Sequence, residues 1–123
     1  MGWVYIIHFD QKLGRAGHYC GYTSKGIRAR IASHRETTWT PLPEPVHLDD
    51  GRVIAGQKHG RGALLMGVVN SKGIGWNVSR IIRNATRADE RRIKNTKHID
   101  RYCPICNPQA NERKLKGQPN GHL

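Results

Sequence analysis

Two tyrosines, an arginine and a histidine near the start of the chain have types and spacing that suit phosphate chemistry. Tyr5 lies in the run Trp3-Val4-Tyr5-Ile6-Ile7 and Tyr19 in His18-Tyr19-Cys20-Gly21-Tyr22. Arg30 and His34 follow, one helical turn apart. A guanidinium is a planar, permanently charged fork that matches two phosphate oxygens. An imidazole changes charge near neutrality and is a ready proton acceptor. A phenol, with an ordinary pKa of about 10, accepts a proton only where positive charge favours the phenolate. Hydrolysis of a phosphodiester needs these functions: a water must lose a proton, the phosphorus centre must be stabilised as charge builds, and the leaving oxygen must be neutralised.

The charge balance points to the same substrate class. Lys and Arg total 21 against 9 Asp and Glu, a formal net charge of +12. A polyanion bound by such a surface releases condensed counterions, so nucleic acid is the expected partner. A membrane is not expected: no apolar run approaches the roughly 18 residues of a spanning helix, and the N-terminus does not read as a secretion signal. The cysteines are Cys20, Cys103 and Cys106. An odd count with one close pair is unlike a disulfide framework and predicts a reducing, cytoplasmic setting.

The elements that must position these residues follow from pattern. Residues 3–9 are β-branched and aromatic and read as a strand, 10–17 as a hairpin connection, and 18–22 as the returning strand. A helix is predicted over 24–35, with Ser24 as N-cap and Ile27, Ile31 and His34 on one face. Residues 36–60 contain Pro41, Pro43, Pro45, an Asp49-Asp50-Gly51 turn and Gly56, and read as a long loop with a short hairpin around 46–54. Leu64, Leu65, Val68 and Val69 form a helical stripe ending at Gly73, and 75–83 read as a third strand with an exposed basic edge. Thr86 opens a helix, with Asp89 completing a near variant of the capping box and Glu90, Ile93, Lys94 and Lys97 behind it. The expected fold is α+β: a small three-stranded antiparallel sheet flanked by helices, in one domain over 1–108, with 109–123 as a basic, disordered tail.

With these elements in place, a resemblance emerges. Val4-Tyr5 and Tyr19-Cys20-Gly21 resemble the two signature segments of the GIY-YIG nuclease family, and Arg30-x-x-x-His34 resembles its catalytic arginine and helical His or Tyr. Glu90 falls where the family keeps a metal-binding glutamate, and Asn107 resembles the asparagine that closes its domain. The similarity covers residues 3–108 and is nearest in kind to small, stand-alone bacterial or phage-type members. It implies a GIY-YIG-like fold and a divalent-metal-dependent DNA endonuclease with a single Mg²⁺ or Mn²⁺ on Glu90. It implies Tyr19 as general base or water-orienting group, with Tyr5 positioning it. His34 either hydrogen-bonds Tyr19 or is itself the base. Lys94 and Asn107 take supporting roles, and Arg28, Arg35, Arg61, Arg80 and Arg83 are candidate DNA contacts. Trp3-Val4 and Cys20 depart from the family's usual residues, and the interval from Tyr19 to Arg30 is one residue long, which leaves Arg28 as a rival for the arginine role.

Cys103-x-x-Cys106 has the spacing of a zinc knuckle, with His98 five residues upstream and a fourth ligand to come from Cys20, His59 or His122. The alternative is a metal-free pair of buried cysteines anchoring the last segment. Two further functions fit the sequence: a nucleic-acid-binding module without activity, and a small zinc-dependent interaction protein. No recognition-helix motif is evident. DNA selectivity would come from the basic surface and segment 36–60, or from a homodimer or accessory protein.

Overall fold

The hairpin that carries both tyrosines is formed by β1 (Gly2–Leu13) and β2 (Ala16–Thr23) in a computed structural model that describes residues 1–112. Both strands run past the expected limits, and Gly14 supplies a positive φ of 61° at the turn. The register pairs Tyr5 with Gly21, Ile6 with Cys20, Ile7 with Tyr19 and His8 with His18. β5 (Trp76–Ala85) pairs antiparallel on the other side of β1, giving the order β2-β1-β5. The expected three-stranded antiparallel sheet is therefore present in a small α+β fold.

The chain divides into two compact units, residues 1–27 with the chain from Gly75 onward, and Arg28–Ile74. In the first unit, the side chains of Val4, Ile6 and Cys20 form a core with Ile82, Ala85, Ile93 and Cys103. Ile93 comes from α3 (Arg87–Asn95), which starts where the sequence places it. The Thr86 hydroxyl accepts from Asp89 N at 3.2 Å and the Asp89 carboxylate accepts from Thr86 N at 2.8 Å, a complete capping box. Ile99–Tyr102 form a 3-10 turn, and Ala110–Glu112 another. Ala110 is fully buried and its carbonyl accepts from Arg80 Nη1 at 2.7 Å, so the expected tail does not begin at 109; the rest of it, 113–123, lies outside the described residues.

α1 (Ile27–Glu36) begins three residues beyond Ser24, and just before it the Lys25 amide donates to the Thr23 hydroxyl at 3.2 Å. α2 (Leu64–Ser71) ends before Gly73, whose φ of 71° stops it. Its buried residues are Met66, Gly67 and Val69, whereas Leu64 is exposed, so the inward stripe lies to one side of the predicted one.

Segment 36–60 is the clearest departure. It forms β3 (Thr38–His47) and β4 (Val53–His59), a second antiparallel sheet of two strands that contains the expected hairpin around 46–54, with Val46 paired to Ile54, and replaces the rest of the expected loop. Prolines argue against a central strand, but Pro41, Pro43 and Pro45 alternate, so in an extended strand their missing N–H groups share one edge. In a two-stranded sheet that edge needs no partner. The ladder is interrupted between Pro41 and Val46. The predicted turn is present: Gly51 has a φ of 89° and Asp50 Oδ1 accepts from Arg52 N at 3.0 Å.

The Tyr5–Gly21 pairing has a measurable consequence. A Cβ on Gly21 would overlap the Tyr5 ring and hydroxyl, whereas one on Gly17 would meet only the Lys12 side chain, at 3.6 Å. Gly21→Ala should cost about 1–3 kcal/mol and Gly17→Ala within about 0.5 kcal/mol, as read from urea unfolding midpoints.

Candidate functional site

Tyr5 sits mid-strand in β1 with no exposed surface, and its ring lies over Gly21, where the neighbouring strand has no side chain. Tyr19, half-buried on β2, stands beside it, ring centroids 6.2 Å apart and tilted by 44°. α3 brings two charged groups to this pair. Lys94 Nζ lies 5.3 Å from the Tyr19 ring centroid and 3.8 Å from Glu90 Oε1. Glu90 and Lys94 are one turn apart on the helix, so the side chains reach the strand from the same face. The carboxylate also acts on the core: burial first, and Glu90 second, push the Cys20 thiol up to about 12, so Cys20 packs as a neutral apolar group. Tyr5, Tyr19, Lys94 and Glu90 thus form a chain of neighbours within the first unit.

The second unit gathers Arg30 and His34. His34 is fully buried on α1, and its Nδ1 accepts from the Ala63 amide at 3.1 Å. Arg30 Nη1 donates to the Arg61 carbonyl at 2.8 Å. The end of α1 is held by Asn70 of α2, whose Nδ2 donates to the carbonyls of His34 and Thr37 at 2.7 Å each. The Thr37 hydroxyl donates to Ser33 O and accepts from Gly62 N, both at 2.6 Å. A Cβ on Gly62 would overlap Thr37 Oγ1 and crowd His34 Cα, so only glycine lets the 60–63 loop approach closely enough for Ala63 to reach the imidazole.

This bonding fixes the chemistry of His34. A neutral imidazole with Nδ1 accepting carries its single proton on Nε2, so toward its surroundings the ring is a donor. Burial, then the charges of Arg30 and Lys58, push its pKa down to about 4. The ring is neutral at pH 7, and its only accepting nitrogen is already engaged by a backbone amide.

The basic residues sort unevenly. Arg28, Arg35, Arg61 and Arg83 are exposed, as a phosphate-contacting role requires, whereas Arg30 is half-buried. Arg80, expected among the DNA contacts, instead bonds the carbonyls of Ala110 and Tyr102, at 2.7 and 3.5 Å, and ties the C-terminal segment to β5. Asn107 braces the same segment, with Nδ2 donating to Arg101 O at 2.8 Å and Oδ1 accepting from Gln109 N at 3.2 Å.

A second constellation is of a different kind. One ligand atom each from His8, His18, Cys103 and Cys106 lies within 4.8 Å of all the others, a donor set that could hold a metal ion. It is the only group of three or more ligating side chains among the described residues. The expected partner of the cysteines, His98, is exposed and faces Asp100 at 4.0 Å, and Cys20 is buried in the core. Sequence spacing does not reveal His8 and His18, because their adjacency is created by hairpin register. The available signal is a histidine in each of two strands predicted to pair.

No helix among the described residues is long and apolar enough to cross a membrane. Every buried side-chain nitrogen and oxygen among those residues has a hydrogen-bond partner.

The depressed His34 pKa has a definite sign in stability. The unfolded imidazole takes up its proton near pH 6.5, the folded one only near pH 4, so His34 withdraws stability as pH falls between these values. Unfolding free energy should drop by up to roughly 3 kcal/mol across that window. In His34→Asn, where the amide oxygen replaces Nδ1 as acceptor, this component of the pH dependence should be absent. Urea titrations from pH 7 to 4 measure it.

Comparison with family models, curated proteins and solved structures gives no match for this chain.

Proposed function

We propose that the protein is a divalent-metal-dependent endonuclease that hydrolyses phosphodiester bonds in DNA. The observation that carries this reading is the convergence of Tyr5, Tyr19, Glu90 and Lys94, four groups drawn from β1, β2 and α3. Chance would rarely place two phenols, a carboxylate and an ammonium together in the order the GIY-YIG resemblance requires. The formal charge of +12 supplies the attraction for a polyanion.

Glu90 suits a hard cation: it is a partly exposed carboxylate whose ion pair with Lys94 is long, at 3.8 Å. A bound Mg²⁺ or Mn²⁺ would neutralise charge on the phosphate and the leaving oxygen. The chain's own residues do the rest. Tyr19 accepts the proton of the attacking water, with the Lys94 ammonium near its ring supplying positive charge. Tyr5, locked by burial over Gly21, positions Tyr19. The resemblance would give the phosphate-binding fork to Arg30. His34 is not assigned the base, because its Nδ1 is engaged by the Ala63 amide. Arg28, Arg35, Arg61 and Arg83 contribute backbone contacts that position without specifying sequence.

The test is a cleavage assay on duplex, branched and single-stranded DNA with Mg²⁺ or Mn²⁺. Glu90→Ala and Tyr19→Phe should each reduce cleavage by about 10²–10⁴-fold while circular dichroism and the unfolding midpoint stay near wild type. Salt-dependent binding without cleavage of any substrate, unchanged in Glu90→Ala, would instead identify a binding module.

A further inference from the structure

We propose that His8, His18, Cys103 and Cys106 form a closed, four-ligand structural zinc site that clamps the β1–β2 hairpin to the C-terminal turn. This is independent of the nuclease reading and uses none of its residues.

The distances match a single ion. With Zn–N of about 2.05 Å and Zn–S of about 2.3 Å, a tetrahedron has edges of about 3.3 Å between nitrogens, 3.6 Å from nitrogen to sulfur and 3.8 Å between sulfurs. His8 Nδ1 lies 3.3 Å from His18 Nε2, 3.7 Å from Cys103 Sγ and 3.5 Å from Cys106 Sγ, and Cys106 Sγ lies 3.3 Å from His18 Nε2. Hydrogen bonding alone does not account for this packing. Three partners converge on His8 Nδ1, yet an imidazole nitrogen offers either one proton or one lone pair. An ion at the centre of the four atoms satisfies every contact at once.

The backbone holds each ligand in place. His8 and His18 are directly paired across the hairpin. Cys103 O accepts from the amides of Cys106 and Asn107, at 3.1 and 2.8 Å, in a tight turn that brings both sulfurs to one side. Cys103 is also part of the hydrophobic core beside Cys20 and Ile6, so the site continues the core at its outer end.

The donor set selects the metal. Two thiolates and two imidazoles in a tetrahedron favour zinc over Mg²⁺, which takes oxygen ligands. A two-iron cluster with mixed His and Cys ligation keeps its imidazoles on one iron and its thiolates on the other, and the proximity of His8 Nδ1 to both sulfurs is incompatible with that separation. Four protein ligands leave no open position for water, so the role is structural. Binding replaces the two thiol protons: Zn²⁺ and two Cys–SH give two Zn–S bonds and two protons, with both imidazoles neutral.

The experiment is elemental analysis of protein purified under reducing conditions, followed by chelator stripping, zinc reconstitution and cobalt substitution. The expected result is about one zinc per chain, with stripping lowering the unfolding temperature by about 5 °C or more and reconstitution restoring it. Cobalt-loaded protein should show thiolate charge-transfer and tetrahedral visible bands. Cys106→Ser and His18→Asn should lose stoichiometric metal, and His98→Ala should keep it. Absence of zinc from both purified and reconstituted wild-type protein overturns the proposal. So do undiminished binding in the double variant Cys106→Ser, His18→Asn, and cobalt spectra of the wild type without thiolate bands. The wild-type spectra decide the matter even where a variant fails to fold.

Discussion

The register of β1 against β2 is the constraint on which both constellations of the first unit depend. Side chains alternate across a strand, so one pairing fixes two sets at once: Tyr5 and Tyr19 with Ile7 in one parity, Ile6, Cys20, His8 and His18 in the other. A slip of one residue would reverse every member. Gly21 favours the register sterically, because a Cβ there would overlap the Tyr5 ring. Burial does not distinguish the two faces here, since Val4, Tyr5, Ile6 and Ile7 are all fully buried, so the steric fit carries the register.

The second unit solves a different problem, the placement of one buried imidazole. Helix ends leave carbonyls unpartnered, and here Asn70 takes up those at the end of α1 while Thr37 and Gly62 bring the following loop against it. The result commits Nδ1 of His34 to Ala63. That commitment separates two roles that residue type alone leaves open. A histidine is ordinarily an easy base, but here the ring is neutral with its one accepting nitrogen already engaged.

What the sequence made legible was local. The hairpin, the Thr86 capping box, the stop of α2 at Gly73 and the Asp50-Gly51 turn are all encoded by residues close together in the chain, and each appears where its signal lies. Less legible was anything that depends on long-range pairing. Three prolines obscured β3, because sequence alone does not show which edge of a strand will be free. Arg80 looked like any other basic side chain until the segment around Ala110 packed beneath it. His98 had the right spacing to Cys103, yet the atoms that approach the cysteines come from 88 to 98 residues away. The neighbourhood of Tyr5, Tyr19, Glu90 and Lys94 rests on the hairpin and on α3, elements whose signals are local.

The geometry describes a small basic protein with two distinct candidate sites: soft donors that gather at the hairpin, and a carboxylate on α3 near a phenol of β2. The decisive measurement is the single-turnover rate of DNA cleavage by zinc-replete protein as a function of pH, with and without Mg²⁺. A phenol acting as proton acceptor requires Mg²⁺-dependent cleavage whose rate keeps climbing above neutrality. No cleavage at any pH, or a rate that levels off once an imidazole is neutral, would contradict it.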